Sequence, residues 1–139
     1  MSKRRIEALQ TLRRLEERQL DELARDLTQV QTAQAKALAQ VDHLQERAIK
    51  EASTTAYEAM PYVGKFLANL RKEQTRANET AHQLQVHIDT LRSEVMVHFS
   101  AERAYDRLAA TALSALREER RRKEESAIED LTLSRFGRA

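Results

Sequence analysis

Apolar residues in the first third of the chain recur at alternating intervals of three and four. Written out, the series is Ile6, Leu9, Arg13, Glu16, Leu20, Leu23, Leu27, Val30, Gln34, Ala37, Val41, Leu44 and Ala48, and ten of the thirteen are apolar. That spacing keeps a stripe on one side of a helix and calls for a second helix to cover it. A matching series follows: Ala77, Ala81, Leu84, Ile88, Leu91, Val95, His98, Glu102, Tyr105, Ala109, Ala112 and Leu116. Upstream of it Phe66, Leu70 and Gln74 step by four and four, a stutter that locally unwinds a supercoil. The pattern predicts an all-α chain in which two long helices form an antiparallel coiled-coil hairpin, a rod and not a globule.

The only proline and one of the two glycines stand between the two series, in the stretch from Ser53 to Gly64. Pro61 has no amide hydrogen and disfavours helix in the residue before it, so it belongs in the first turn of a new helix. The expected organisation is a single hairpin over 1–139, with helix one at about 3–55, the turn at about 53–63, helix two at about 61–130 and a frayed tail at about 131–139. The rival arrangement is one uninterrupted helix kinked at Pro61, which needs a second chain to cover both stripes. At 1.5 Å per residue the paired stretch of the hairpin is about 80 Å long, and helix two outruns helix one from about Arg117 onward.

Composition narrows the class further. In 139 residues there are two Gly, one Pro and no Trp, with 4% aromatic and 33% charged residues, a balance typical of long helices and poor in material for a sheet. The absence of cysteine leaves no disulfide framework and no thiolate metal site. The basic start, Lys3, Arg4 and Arg5, runs into Glu7, Gln10 and Arg13, where a signal peptide needs an unbroken apolar stretch. No window approaches eighteen apolar residues, so no membrane-spanning segment is expected. Basic and acidic residues, 24 and 22, are mixed along both series, which argues against a broad nucleic-acid surface.

Chemistry-bearing constellations are sparse. His43, His82, His87 and His98 never fall as two on adjacent turns with a carboxylate, and no phosphate loop, nucleophile elbow or carboxylate pair occurs. No catalytic, cofactor or metal residue is expected. The run Arg120, Arg121, Arg122, Lys123 is flanked by Glu118, Glu119, Glu124 and Glu125, which cancel most of its field. The polar positions within the stripes are uneven: Arg13 and Glu16 in the first, His98 and Glu102 in the second. Folding back near residue 60 brings these four toward the same, terminal end, where they set register at some expense in stability. Leu12, Leu15, Leu38, Met96, Val97, Phe99, Leu108 and Leu113 lie beside the stripes, and a two-helix hairpin cannot hide all of them.

A chain of this length that opens in Leu/Arg/Glu-rich heptads, turns once near its middle and ends in a charged helix resembles the FliJ family, stalk proteins of the flagellar type III export apparatus with similar injectisome counterparts. Gln40-Val41-Asp42-His43-Leu44 before the turn and Phe66-Leu67-Ala68-Asn69-Leu70 after it resemble the surface with which that family contacts the export gate. Arg47, Glu51, Glu73 and Ala77 depart from the aromatic and other positions that continue those two patches. The resemblance implies no enzyme and no cofactor. It implies a hairpin similar to the shaft of rotary ATPase central stalks, its paired termini inserted into a hexameric export ATPase and its loop end facing the export gate membrane protein, with export chaperones as further partners. Gln40, Leu44, Phe66 and Leu70 are then the gate-contact candidates. Lys3, Arg4, Arg5, Arg13, Arg120, Arg121 and Arg122 are the ring-contact candidates on position and charge. The implied place is the cytoplasm, peripheral to the inner membrane through the export apparatus, with no membrane insertion and no nucleic acid. A coiled-coil scaffold or adaptor unrelated to secretion satisfies the periodicity equally well, and an amphipathic membrane-surface protein stands third.

Overall fold

The computed structural model describes residues 2–54 and 60–137. They form two helices, α1 (Ser2–Thr54) and α2 (Met60–Phe136), packed on each other as a helical hairpin. No strand occurs among the described residues. Part of the expected turn, residues 55–59, lies outside the described residues. Pro61 is the second residue of α2, where its missing amide hydrogen would have no helical partner in any case.

The helices divide into two compact units: a turn-side unit, Asp21–Val95, and a terminal unit, Met1–Leu20 with Met96–Ala139. In the turn-side unit Leu23, Leu44, Leu70, Ala81, Ile88 and Leu91 are buried. Each of these positions belongs to one of the stripes read from the sequence. Gln34 Nε2 donates to Gln85 Oε1 across the pair at 2.7 Å, and Gln85 in turn donates to Asp89 Oδ1 at 3.0 Å. The Arg47 guanidinium lies over the Phe66 ring, 5.4 Å from its centroid. Residues of rising number in α1 thus meet residues of falling number in α2, and the two helices run antiparallel.

The terminal unit is packed more thinly, with Ile6 and Ala109 alone buried among its described residues. Leu9, Leu20, Tyr105, Ala112 and Leu116 are half-buried in the same stripes. Past Leu116 the stripe loses its cover, and every residue from Glu119 to Gly137 is exposed. α2 nevertheless continues to Phe136, so that residues 131–136, where the sequence suggests a tail, are helical. Gly137 ends the helix: its N–H donates to Leu133 O at 2.7 Å, and an added Cβ would stand 2.8 Å from that same oxygen.

In α1, every residue described as less than fully exposed belongs to the thirteen-position series. Threonine is a weak helix former because its β-branch restricts χ1, and within a helix its hydroxyl commonly bonds back to the preceding turn. Thr11, Thr28, Thr32, Thr75, Thr80 and Thr90 all donate to the carbonyl four residues earlier.

Ile88 is 1% exposed and Leu44 2%, whereas Leu38 is 47% exposed. Truncating a buried aliphatic side chain removes transfer energy and leaves a cavity, about 2–5 kcal/mol in all. Ile88→Ala and Leu44→Ala are expected to lower stability by that order in urea unfolding, while Leu38→Ala stays within about 0.5 kcal/mol. Gly64 is the one glycine inside α2, and a Cβ there meets nothing within 4 Å. Gly64→Ala should therefore raise stability by about 0.5–1 kcal/mol in the same measurement.

Candidate interaction surfaces

The polar interruptions of the seam meet one another in the terminal unit. Arg13 Nε donates to Glu102 Oε1 at 3.0 Å and lies 3.5 Å from Asp106 Oδ1, while its Nη2 reaches Glu17 at 3.2 Å. One turn along, His98 Nδ1 lies 2.5 Å from Glu16 Oε2. Glu16 and His98 are on facing helices, so the pair spans the seam in place of an apolar layer. The Arg13 guanidinium is held above the usual arginine value, chiefly by the hydrogen bond to Glu102 and next by the charge of Asp106. Sequence reading identifies Arg13, Glu16, His98 and Glu102 but misses Asp106 and Glu17. Both sit one helical turn from a seam acid or base, and that i,i+4 spacing is the signal available for them.

The four gate-contact candidates divide by exposure. Leu44 and Leu70 are buried in the seam, Phe66 is half-buried beneath Arg47, and Gln40 is exposed. Leu44 and Leu70 lie between the levels marked by the Gln34–Gln85 and Arg47–Phe66 contacts, and their side chains pack the turn-side core. The surface left there to a partner is Gln40 with the outer face of Phe66 and Arg47.

The ring-contact candidates also divide. Lys3, Arg4 and Arg5 are exposed in the first turns of α1, with no acidic residue in that first turn. Cations at a helix N-terminus oppose the macrodipole, so these three lower the stability of the helix that carries them. Arg121 is committed to its own helix: Nε and Nη2 donate to the two oxygens of Glu118 at 3.1 and 2.7 Å, and Nη1 donates to Glu125 at 2.6 Å. Arg122 lies 3.4 Å from Glu118, and Lys123 lies 3.5 Å from Glu119. Arg120 makes no ion pair among the described residues. The Glu118 carboxyl is held below the usual carboxylate range, first by the hydrogen bond from Arg121. The basic run is thus an internally braced single helix with Arg120 its available cation, set beyond the paired stretch that Lys3, Arg4 and Arg5 border.

Among the described residues no group of three or more His, Asp and Glu side chains is placed to hold a metal ion, and no helix is long and apolar enough to cross a membrane. What the geometry does build is a coiled-coil hairpin with charged cross-links at its terminal end, a polar and aromatic patch near its turn, and apolar side chains left on its outside. This is the class of antiparallel helical hairpin proteins. The chain belongs to the flagellar FliJ protein family, whose model matches residues 5–139. It is a stalk-type component of the flagellar export apparatus. No curated protein and no solved structure gives a match.

Two outcomes are expected from the charged groups. A semi-exposed charge pair inside a seam contributes less than apolar packing of similar volume, so Arg13→Leu combined with Glu102→Leu should raise the thermal midpoint followed by circular dichroism. Glu118 has a lower pKa folded than unfolded; its contribution is full above the unfolded value and is lost as the pH falls through the folded one. Helicity of the 117–125 stretch should therefore fall once the pH drops below about 4, and Glu118→Gln should remove that part of the acid transition, read by NMR of the stretch.

Proposed function

We propose that this protein is the non-enzymatic central stalk of its export apparatus, its paired termini held within the hexameric export ATPase and its turn-side unit directed to the export gate. Family membership carries the reading, because the FliJ family works in flagellar export alongside the ATPase and the gate. The distribution of polar groups supports it. Exposed cations that weaken their own helix, Lys3, Arg4 and Arg5, have a reason to be kept if an acidic or carbonyl-rich partner surface meets them. The thinly buried terminal unit, braced by Arg13–Glu102 and Glu16–His98, gains most from being enclosed. Arg120 is the overhang's contribution to that contact, and Arg121 and Arg122 serve mainly to keep the overhang helical.

On the gate side, Gln40 and the Phe66–Arg47 stack form the contact, with Leu44 and Leu70 holding the two helices together beneath it. The stalk hydrolyses nothing; it changes the turnover of the ring around it. It resides in the cytoplasm, peripheral to the inner membrane through the apparatus, and export chaperones are further partners. An injectisome stalk has the same architecture, but the flagellar family match favours the flagellum.

Adding the protein to the purified export ATPase should raise turnover several-fold, and Lys3→Glu/Arg4→Glu/Arg5→Glu should abolish the increase with helicity retained. Gln40→Ala/Phe66→Ala should leave stimulation intact and weaken pull-down of the gate's cytoplasmic domain. Unchanged turnover together with absence of co-elution would refute the ring assignment.

A further inference from the structure

Both helices of the terminal unit carry a second heptad series, displaced from the first by one residue in the same sense. In α1 it is Arg5, Ala8, Leu12, Leu15 and Gln19, against the seam positions Ile6, Leu9, Arg13, Glu16 and Leu20. In α2 it is Val97, Ala101, Ala104, Leu108, Thr111 and Ala115, against His98, Glu102, Tyr105, Ala109, Ala112 and Leu116. A displacement of one residue rotates a position by about 100° around its helix. In an antiparallel pair, equal displacements on the two helices turn toward the same side of the hairpin. The two extra series therefore make one continuous face, which has a single charged residue, Arg5 at its edge. Leu12, Leu15, Val97 and Leu108 on it are 40%, 50%, 66% and 47% exposed.

We propose that this face binds the same face of a second copy of the chain, giving a four-helix dimer of parallel hairpins. The arrangement of large and small side chains selects that occupant. The Arg13–Glu102 and Glu16–His98 contacts fix the heights of the two helices. Leu12 and Leu15 then stand level with the Ala101–Ala104 stretch, and Leu108 stands level with Ala8. A two-fold axis along the hairpin lays α1 of one copy over α2 of the other. Leu12 and Leu15 enter the space above Ala101 and Ala104, and Leu108 enters the space above Ala8, twice over by symmetry. Large residues facing small ones across the contact is the condition for interdigitated packing, and every neighbouring pair of helices is antiparallel.

The area is sufficient. The face runs about 25 Å along the hairpin and about 20 Å across two helices. Two such faces together remove on the order of 1,000–1,500 Å² from water, which reaches the size of a specific interface. Its near-absence of charge matches the core of such interfaces.

This inference does not rest on the ring assignment, and its test leaves ATPase turnover aside. Light scattering coupled to gel filtration at high micromolar concentration should give twice the 16.0 kDa chain mass. Leu12→Glu/Leu108→Glu should return the single-chain mass with the helical signal retained. Because the chain has no cysteine, the geometry can be read independently. Mixing the single variants Leu12→Cys and Ala104→Cys under mild oxidation should cross-link the two chains to each other, in preference to either variant alone. Single-chain mass of the wild type at high concentration would overturn the proposal, as would preferential cross-linking of Leu12→Cys to itself.

Discussion

The burial of one apolar stripe by another governs this molecule. Among the described residues a helix of 53 residues and one of 77 have only each other to pack against. The alternation of three and four residues must therefore hold along the paired length, apart from the four-and-four step at Phe66, Leu70 and Gln74. An error of one residue would rotate Leu44 or Ile88 out of the interface by about 100°. The consequence is visible in α1, where the partly or wholly buried residues are those of a single series. It also explains the composition: with one narrow seam to fill, nearly all remaining positions are free to be charged.

That economy makes each interruption of the seam informative. The Gln34–Gln85 bridge in the turn-side unit is neutral and small in number beside six buried apolar residues. The terminal unit substitutes Arg13–Glu102 and Glu16–His98 for two successive apolar layers and buries, among its described residues, only Ile6 and Ala109. Charged layers discriminate strongly against shifted pairings, because a slip strands a charge against an apolar neighbour. They contribute less to stability than the leucines they replace. Stability is thus concentrated in one unit, and register in the other.

Most of the fold was legible from spacing alone, because a heptad stripe depends on residue type at fixed intervals and little else. Pro61 marked the entry to α2 for an equally local reason. The interaction surfaces were legible only in part. Leu44 and Leu70 satisfy both the seam pattern and the family's surface pattern, two roles that share a spacing, and only their burial in the seam is visible in the structure. The basic run at 120–123 looks available in sequence, but Arg121 grips Glu118 and Glu125 within its own helix, a rotamer choice that charge counting does not reveal. The end of α2 was obscured in a similar way. Ala127, Ile128, Leu131, Leu133 and Phe136 form no clean stripe, yet the helix continues to Phe136.

The second heptad series bears on why the terminal unit is built so thinly. A helix meant for a two-helix pair needs one seam, and adding Leu12, Leu15, Val97 and Leu108 beside it raises the tendency to associate without improving the fold of a single chain. Such residues become intelligible if the unit is normally covered on more than one side. The same half carries Lys3, Arg4 and Arg5, which weaken the start of α1. Two independent departures from single-chain stability, one apolar and one electrostatic, therefore fall in the same unit. Surfaces of both kinds have a cost when exposed and lose it when covered. Confining those surfaces to the weakly packed unit leaves the leucine-rich unit near the turn to hold the hairpin together throughout.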